Sequence, residues 1–159
     1  MKGLKIIIAG GRDFNDYQLL RAESLRIVAE KAKLMNIDKI PKEKITIISG
    51  KAKGADSEGE KFAKEFNLNL KEYPADWRNL EAEPCRISEN AHGKYNALAG
   101  LARNVKMAEA ACSDRENYDP MLIAFWDGKS TGTKHMIDTA KKMNMEVHVV
   151  EYQKPQRGC

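Results

Sequence analysis

The chain is short of the features that most often announce chemistry. It has 3 cysteines, Cys85, Cys112 and Cys159, an odd number with no Cys-x-x-Cys pair. That argues against a disulfide framework and a zinc knuckle, and it points to a reducing compartment. The 3 histidines, His92, His135 and His148, lie far apart without metal-ligand spacing, so no metal site is expected. No apolar run approaches the roughly 18 residues of a membrane span. The first one, Ile6-Ile7-Ile8-Ala9, breaks off in Gly10-Gly11-Arg12-Asp13, short of the about 7–15 residues of a signal-peptide core. A cytoplasmic protein without membrane contact is expected.

Two nucleotide signatures are missing as well. Gly-x-Gly-x-x-Gly occurs nowhere, which disfavours a classical NAD dehydrogenase. No Gly-Lys-Ser/Thr closes the stretch Gly50-Lys51-Ala52-Lys53-Gly54-Ala55-Asp56, which disfavours a phosphate-loop ATPase. The net charge is only +4, and lysines alternate with glutamates, as in Glu58-Gly59-Glu60-Lys61. The concentrated basic face of a nucleic-acid binder is not visible, so nucleic acid stays the weaker option.

What the chain does have is an ordinary globular composition, 42% hydrophobic and 31% charged over 159 residues. That suits one domain, expected over 1–152 with a tail from 153 to 159. Ile6–Ala9, Ile45–Ile48 and Met121–Trp126 are continuous apolar runs, the mark of strands covered on both faces. Leu68–Tyr73 alternates, and Glu146–Tyr152 reads as a last strand. Helices are expected over Tyr17–Met35 behind an Asp16 cap, over Asp56–Phe66, from Asn96 or Leu98 to Ala111, and from Ser130 or Thr131 to Met143. Residues 74–94, with Pro84 and Gly93, read as a long irregular loop, a length associated with function. Alternating strands and helices predict an α/β fold: a three-layer, Rossmann-like parallel sheet of five strands in the order 3-2-1-4-5.

In that order the chain reverses between the first and fourth strands, and ligands of such sheets bind at the carboxyl ends there. The loops expected at this place are unusual. They are Gly10-Gly11-Arg12-Asp13, Gly50 to Asp56, and Asp127-Gly128-Lys129-Ser130-Thr131-Gly132-Thr133. Glycines expose backbone N–H groups, a helix N-terminus carries partial positive charge, and arginine pairs bidentately with phosphate. Together they suit an oxyanion-rich ligand such as a nucleotide. Asp56 has two readings, helix cap or acceptor for a ribose hydroxyl. Trp77 and Trp126 offer stacking surfaces, Trp126 more as packing at a strand end. Arg103-Asn104 on the third helix reads, from the residues alone, as solvated charge.

These motifs carry a resemblance. Phe125–Ile137, with its Trp-Asp-Gly-Lys-Ser…Gly-Thr core, resembles the signature of the YspA/YpsA-related branch of the SLOG superfamily, the Rossmann-like group named after the SMF/DprA and LOG proteins. Gly10–Phe14, Gly50-x-x-x-Gly54-Ala55-Asp56, Ala75-Asp76-Trp77 and Lys94–Met107 resemble its other blocks, and the long insertion resembles phage and prophage versions. The resemblance implies a nucleotide or nucleotide-derived ligand, such as ADP-ribose, an NAD-like compound or a nucleoside phosphate. It implies a sensor or sequestering protein without cofactor, forming a homodimer or higher homo-oligomer. Phosphates would sit on Gly10–Asp13 and Gly128–Thr133. Asp56 and Arg103, which matches the family's arginine, would orient ribose or phosphate, and Trp77 would carry a base. LOG enzymes cleave nucleotide N-glycosidic bonds with a glutamate in Pro-Gly-Gly-x-Gly-Thr-x-x-Glu. The matching position here is Met136, which can neither steady an oxocarbenium charge nor activate water. Enzymatic hydrolysis is therefore an alternative that lacks its main residue, and DprA-like single-strand DNA binding is another.

Overall fold

A computed structural model describes residues 1–81 and 85–153; Pro84 and the tail from 154 onward lie outside these. Strand β1 (Gly3–Gly10) is central, between β2 (Ile45–Ser49) and β6 (Tyr118–Trp126). Beyond these, β3 (Asn69–Glu72) lies outside β2 and β7 (Glu146–Glu151) outside β6. All four pairings are parallel, giving one 5-stranded sheet in the order β3-β2-β1-β6-β7.

The continuous apolar runs explain the layers. Along β1 and β6, alternate side chains leave opposite faces. Leu4, Ile6, Ile8, Met121, Ile123 and Phe125 pack with Leu20 and Ile27 of α1 (Tyr17–Leu34) and Phe62 of α2 (Ala55–Glu65). Ile7, Ala9, Leu122 and Ala124 pack with Met107 and Ala108 of α3 (Ala99–Cys112) and Met136 and Ile137 of α4 (Thr131–Lys142). This is the three-layer arrangement expected, with the sequence order of sheet strands running 3-2-1-4-5 once the two hairpin strands described next are set aside. Asp16 caps α1, accepting from the Leu19 N–H at 3.1 Å.

The insertion differs from the expected irregular loop. Strands β4 (Ile87–Asn90) and β5 (Gly93–Asn96) form an antiparallel hairpin apart from the main sheet. Its turn is built locally: Asn90 Oδ1 accepts from the His92 N–H at 2.9 Å, and Gly93 takes a positive φ. Strand β6 also starts three residues before the apolar run, including Pro120, where β7 has not yet begun to pair.

Candidate functional site

The strand order reverses between β1 and β6, and a cleft of about 750 Å³ opens at the carboxyl ends there. The β1 loop forms one side. The Gly11 N–H donates to the Phe125 carbonyl at 3.1 Å, and the Gly11 carbonyl accepts from Phe14 and Ala55, both at 3.2 Å. The β1, β2 and β6 ends are thus stitched together by backbone. Gly54, with φ of 80°, stands against the backbone of Gly11 and Arg12, a position with no room for a Cβ. Arg12 leaves this loop exposed, its guanidinium 5.6 Å from the Trp77 ring centre. Asp13 accepts from the Tyr152 hydroxyl at 2.7 Å, which together with burial raises that phenol's pKa.

The β6 loop closes on itself. Asp127 Oδ1 accepts from the N–H groups of Lys129 at 2.9 Å and Ser130 at 2.8 Å. Ser130 then caps α4: its hydroxyl oxygen accepts from the Thr133 hydroxyl at 3.2 Å and, at a long 3.5 Å, from the Thr133 N–H. Ser130, Thr131, Gly132 and Thr133, at the start of α4, all line the cleft. Trp126 donates from Nε1 to the Ser130 carbonyl at 3.0 Å, the rim packing expected of it.

Arg103 is not a solvated charge. Partly buried on α3, it donates from Nη1 to the Gly50 carbonyl and from Nε to Asn104 Oδ1 at 3.1 Å. Burial lowers its pKa, against the opposing pull of Asp56. Asn104 in turn donates to the Gly132 carbonyl at 3.3 Å and lies 3.2 Å from His135 Nδ1, so it braces α3 against α4.

Asp56 is not the helix cap. Helix α2 begins at Ala55 behind Gly54, with no side-chain cap. The Asp56 carboxyl is only 4% exposed, lines the cleft, and accepts from the Ala52 N–H at 3.3 Å. Burial pushes its pKa up to about 6, although Arg103 pulls the other way.

Gly10, Gly11, Arg12, Asp13, Asp56, Trp77, Arg103, Asn104 and Asp127 thus share one cleft with the α4 start. Gly50, Gly54 and Ala55 stand behind it as supports, and Gly128 is exposed with nothing near a Cβ there. Trp77 already has company: Arg12 over its ring and Tyr95 edge-on at 6.4 Å. Met136 is 1% exposed and lies on the cleft lining, the apolar residue at the position where the resemblance would call for a carboxylate. The residues alone did not reveal Arg86, Leu98, Leu101 and Met107 as lining. Leu101 and Met107 lie on α3, where helical spacing reads as core, and Arg86 precedes a hairpin without apolar periodicity. Among the described residues no three His, Cys, Asp or Glu side chains group as a metal site, and no helix is long and apolar enough to cross a membrane.

Sheet order and layers define a Rossmann-like α/β protein. The same fold occurs in DNA processing protein A (DprA) from Streptococcus pneumoniae, a crystal structure matched with a TM-score of 0.55 at 16% identity. The match covers 93% of this chain but 50% of that one, so the chain spans about half the length of that relative. Residues 4–80 match the YAcAr model, the YspA, cpYpsA-related SLOG family. The motif blocks at 94–107 and 125–137 lie beyond the matched residues. No curated protein matches the chain.

Proposed function

We propose that the cleft binds a nucleotide or nucleotide-derived ligand, the chain acting as a sensor or sequestering protein for it. The observation that carries this is the convergence of the β1 loop, the start of α4, Arg12 and Arg103 on one cleft at the sheet's reversal. Backbone N–H groups, a helix N-terminus and guanidinium forks are the donors that phosphate takes. The apolar side chains Leu98, Leu101 and Met107 give a base its dry surface. The family-model match over residues 4–80 and the Rossmann-like fold agree with this reading.

The test is calorimetric titration with AMP, ADP, GMP, GDP, NAD and ADP-ribose, alongside mass spectrometry of small molecules released from the heat-denatured protein. Binding of at least one is expected; silence across the panel with nothing released refutes the proposal. Arg12→Ala is expected to weaken binding about 10- to 100-fold, the worth of a charge-assisted phosphate pair. Its melting temperature should stay put, since Arg12 is exposed and makes no hydrogen bond within the described residues.

A second reading rests on Asp56. A buried carboxyl poised near pH 6 on the cleft lining is the type of group that N-glycosidic hydrolysis uses as acid or base. Asp13 is engaged by Tyr152, and Asp127 Oδ1 holds its own loop. Free base released from a panel of nucleoside monophosphates, and lost in Asp56→Asn, would establish hydrolysis; an unchanged panel removes it. A homo-oligomer is proposed on family grounds alone, to be read from sedimentation velocity.

A further inference from the structure

Arginines in this chain are, as a rule, given acceptors. Arg21 and Arg26 bond carboxylates, at 2.7 Å and 2.9 Å from their Nε atoms. Arg78 donates to the Lys94 carbonyl at 2.9 Å, Arg103 to Gly50 and Arg115 to Asn144 at 3.5 Å. Among the described arginines, Arg12 and Arg86 alone have a guanidinium with neither hydrogen bond nor ion pair. Both line the cleft, and among the described residues no lysine does.

The two come from different parts of the chain and are nonetheless coupled. Arg12 lies over Trp77. The Trp77 carbonyl accepts from the Asn96 N–H at 2.6 Å, and Asn96 Oδ1 accepts from the Arg86 N–H at 3.1 Å. The Arg86 carbonyl accepts from the Ala97 N–H at 2.8 Å. The Arg86 backbone is therefore held on both sides, while its exposed side chain keeps five unused donors. Asn96, 1% exposed, is the post on which this corner of the insertion is hung. On the nucleotide reading above, a single phosphoryl group would be served by Arg12 and the start of α4. A further unpartnered guanidinium on the same cleft is matched by additional anionic charge on the ligand.

We propose that Arg86 is a specificity-determining residue, selecting ligands with two linked phosphoryl groups over nucleoside monophosphates. This rests on the nucleotide reading above and narrows its ligand class. A pyrophosphate-type ligand bridges the Arg12 side and the Arg86 side of the cleft, and a monophosphate leaves Arg86 unemployed.

The experiment is calorimetric titration of the full chain with AMP, ADP, GMP and GDP at one fixed salt concentration, repeated in Arg86→Ala and Arg86→Lys. The wild type should bind the diphosphate of its preferred base at least about tenfold more tightly than the monophosphate, about 1.4 kcal/mol. Arg86→Ala should bring that ratio to within about twofold while leaving monophosphate affinity and melting temperature unchanged. Arg86→Lys, which keeps the charge and loses the fork, should retain part of the preference. A wild type without preference overturns the assignment. So does an Arg86→Ala variant that weakens both nucleotides equally, the signature of general attraction, or that leaves the ratio intact. If no nucleotide binds even the wild type, the nucleotide reading falls and this inference with it; binding without discrimination removes this inference alone.

Discussion

The two ends of the sheet treat charge in opposite ways. At the amino ends of the strands, Lys31 lies 3.0 Å from Glu146 and 3.6 Å from Asp119, Lys2 lies 3.6 Å from Asp119, and His148 lies 2.6 Å from Glu146. These charges are tied into one another, Lys31 and Asp119 each holding two partners. At the carboxyl ends, among the described residues, Arg12 and Arg86 lack acceptors and the buried Asp56 carboxyl has one long N–H bond. The first end is a finished piece of structure. The second holds its groups short of satisfaction, which is what the proposed ligand site requires.

The comparison can be broken most forcibly at the seam that shapes the cleft. Gly54→Ala puts a methyl against the Gly11 and Arg12 backbone at a φ that side chains resist, and should cost about 2–4 kcal/mol in urea denaturation. A loss under about 1 kcal/mol would mean that the loops are not locked together.

The pH responses sharpen the contrast because their signs oppose. Asp56 has its folded pKa raised to about 6, above the ordinary value near 4. Its folded state therefore holds a proton more readily than the unfolded chain. The associated stability is present below about pH 4 and is lost as pH rises through about 6. Asp56→Asn should gain about 1–3 kcal/mol at pH 7.5 and nothing at pH 4, measured by thermal melts at both pH values. An equal change at both would show that packing, not ionisation, decides.

At the other end, burial would raise the Glu146 pKa, but His148 and Lys31 outweigh it and hold it below the usual carboxylate range. Its contribution is present above about pH 4.3 and fades as pH falls through the folded value. About a third of the side chain is exposed, so solvent screens the pairs. Glu146→Gln should cost less than about 1 kcal/mol at pH 7 and nothing near pH 3, in the same melts. A cost that persists at the lower pH would assign the effect to something other than charge.

How much of this the chain disclosed beforehand depended on periodicity. Ile6–Ala9 and Met121–Trp126 are apolar at every position, which only a doubly covered strand tolerates, and the layers and order followed from them. The loops at the reversal were legible because topology alone decides where they meet. The hairpin was not, since Ile-Ser-Glu-Asn and Gly-Lys-Tyr-Asn bury little and show no alternation, so Arg86 had nothing to mark it. Asp56 was half legible: its place beside the loops at the reversal could be read, but a residue one step inside a helix start looks like a cap until the backbone is seen. Arg103 misled for a similar reason. An arginine amid alanines on a helix reads as a solubilising charge, and only its reach to the Gly50 carbonyl reveals a structural tether.

The brace between α3 and α4 also fixes where its hydrogens lie. Asn104 must turn its oxygen to Arg103, because a guanidinium only donates, and so its NH2 faces the Gly132 carbonyl and the His135 ring. Burial lowers the His135 pKa, and the neutral ring accepts that amide proton at Nδ1. Its own hydrogen then belongs on Nε2, so one asparagine, two residues removed along this relay from the β2 loop, dictates the tautomer of an imidazole on another helix.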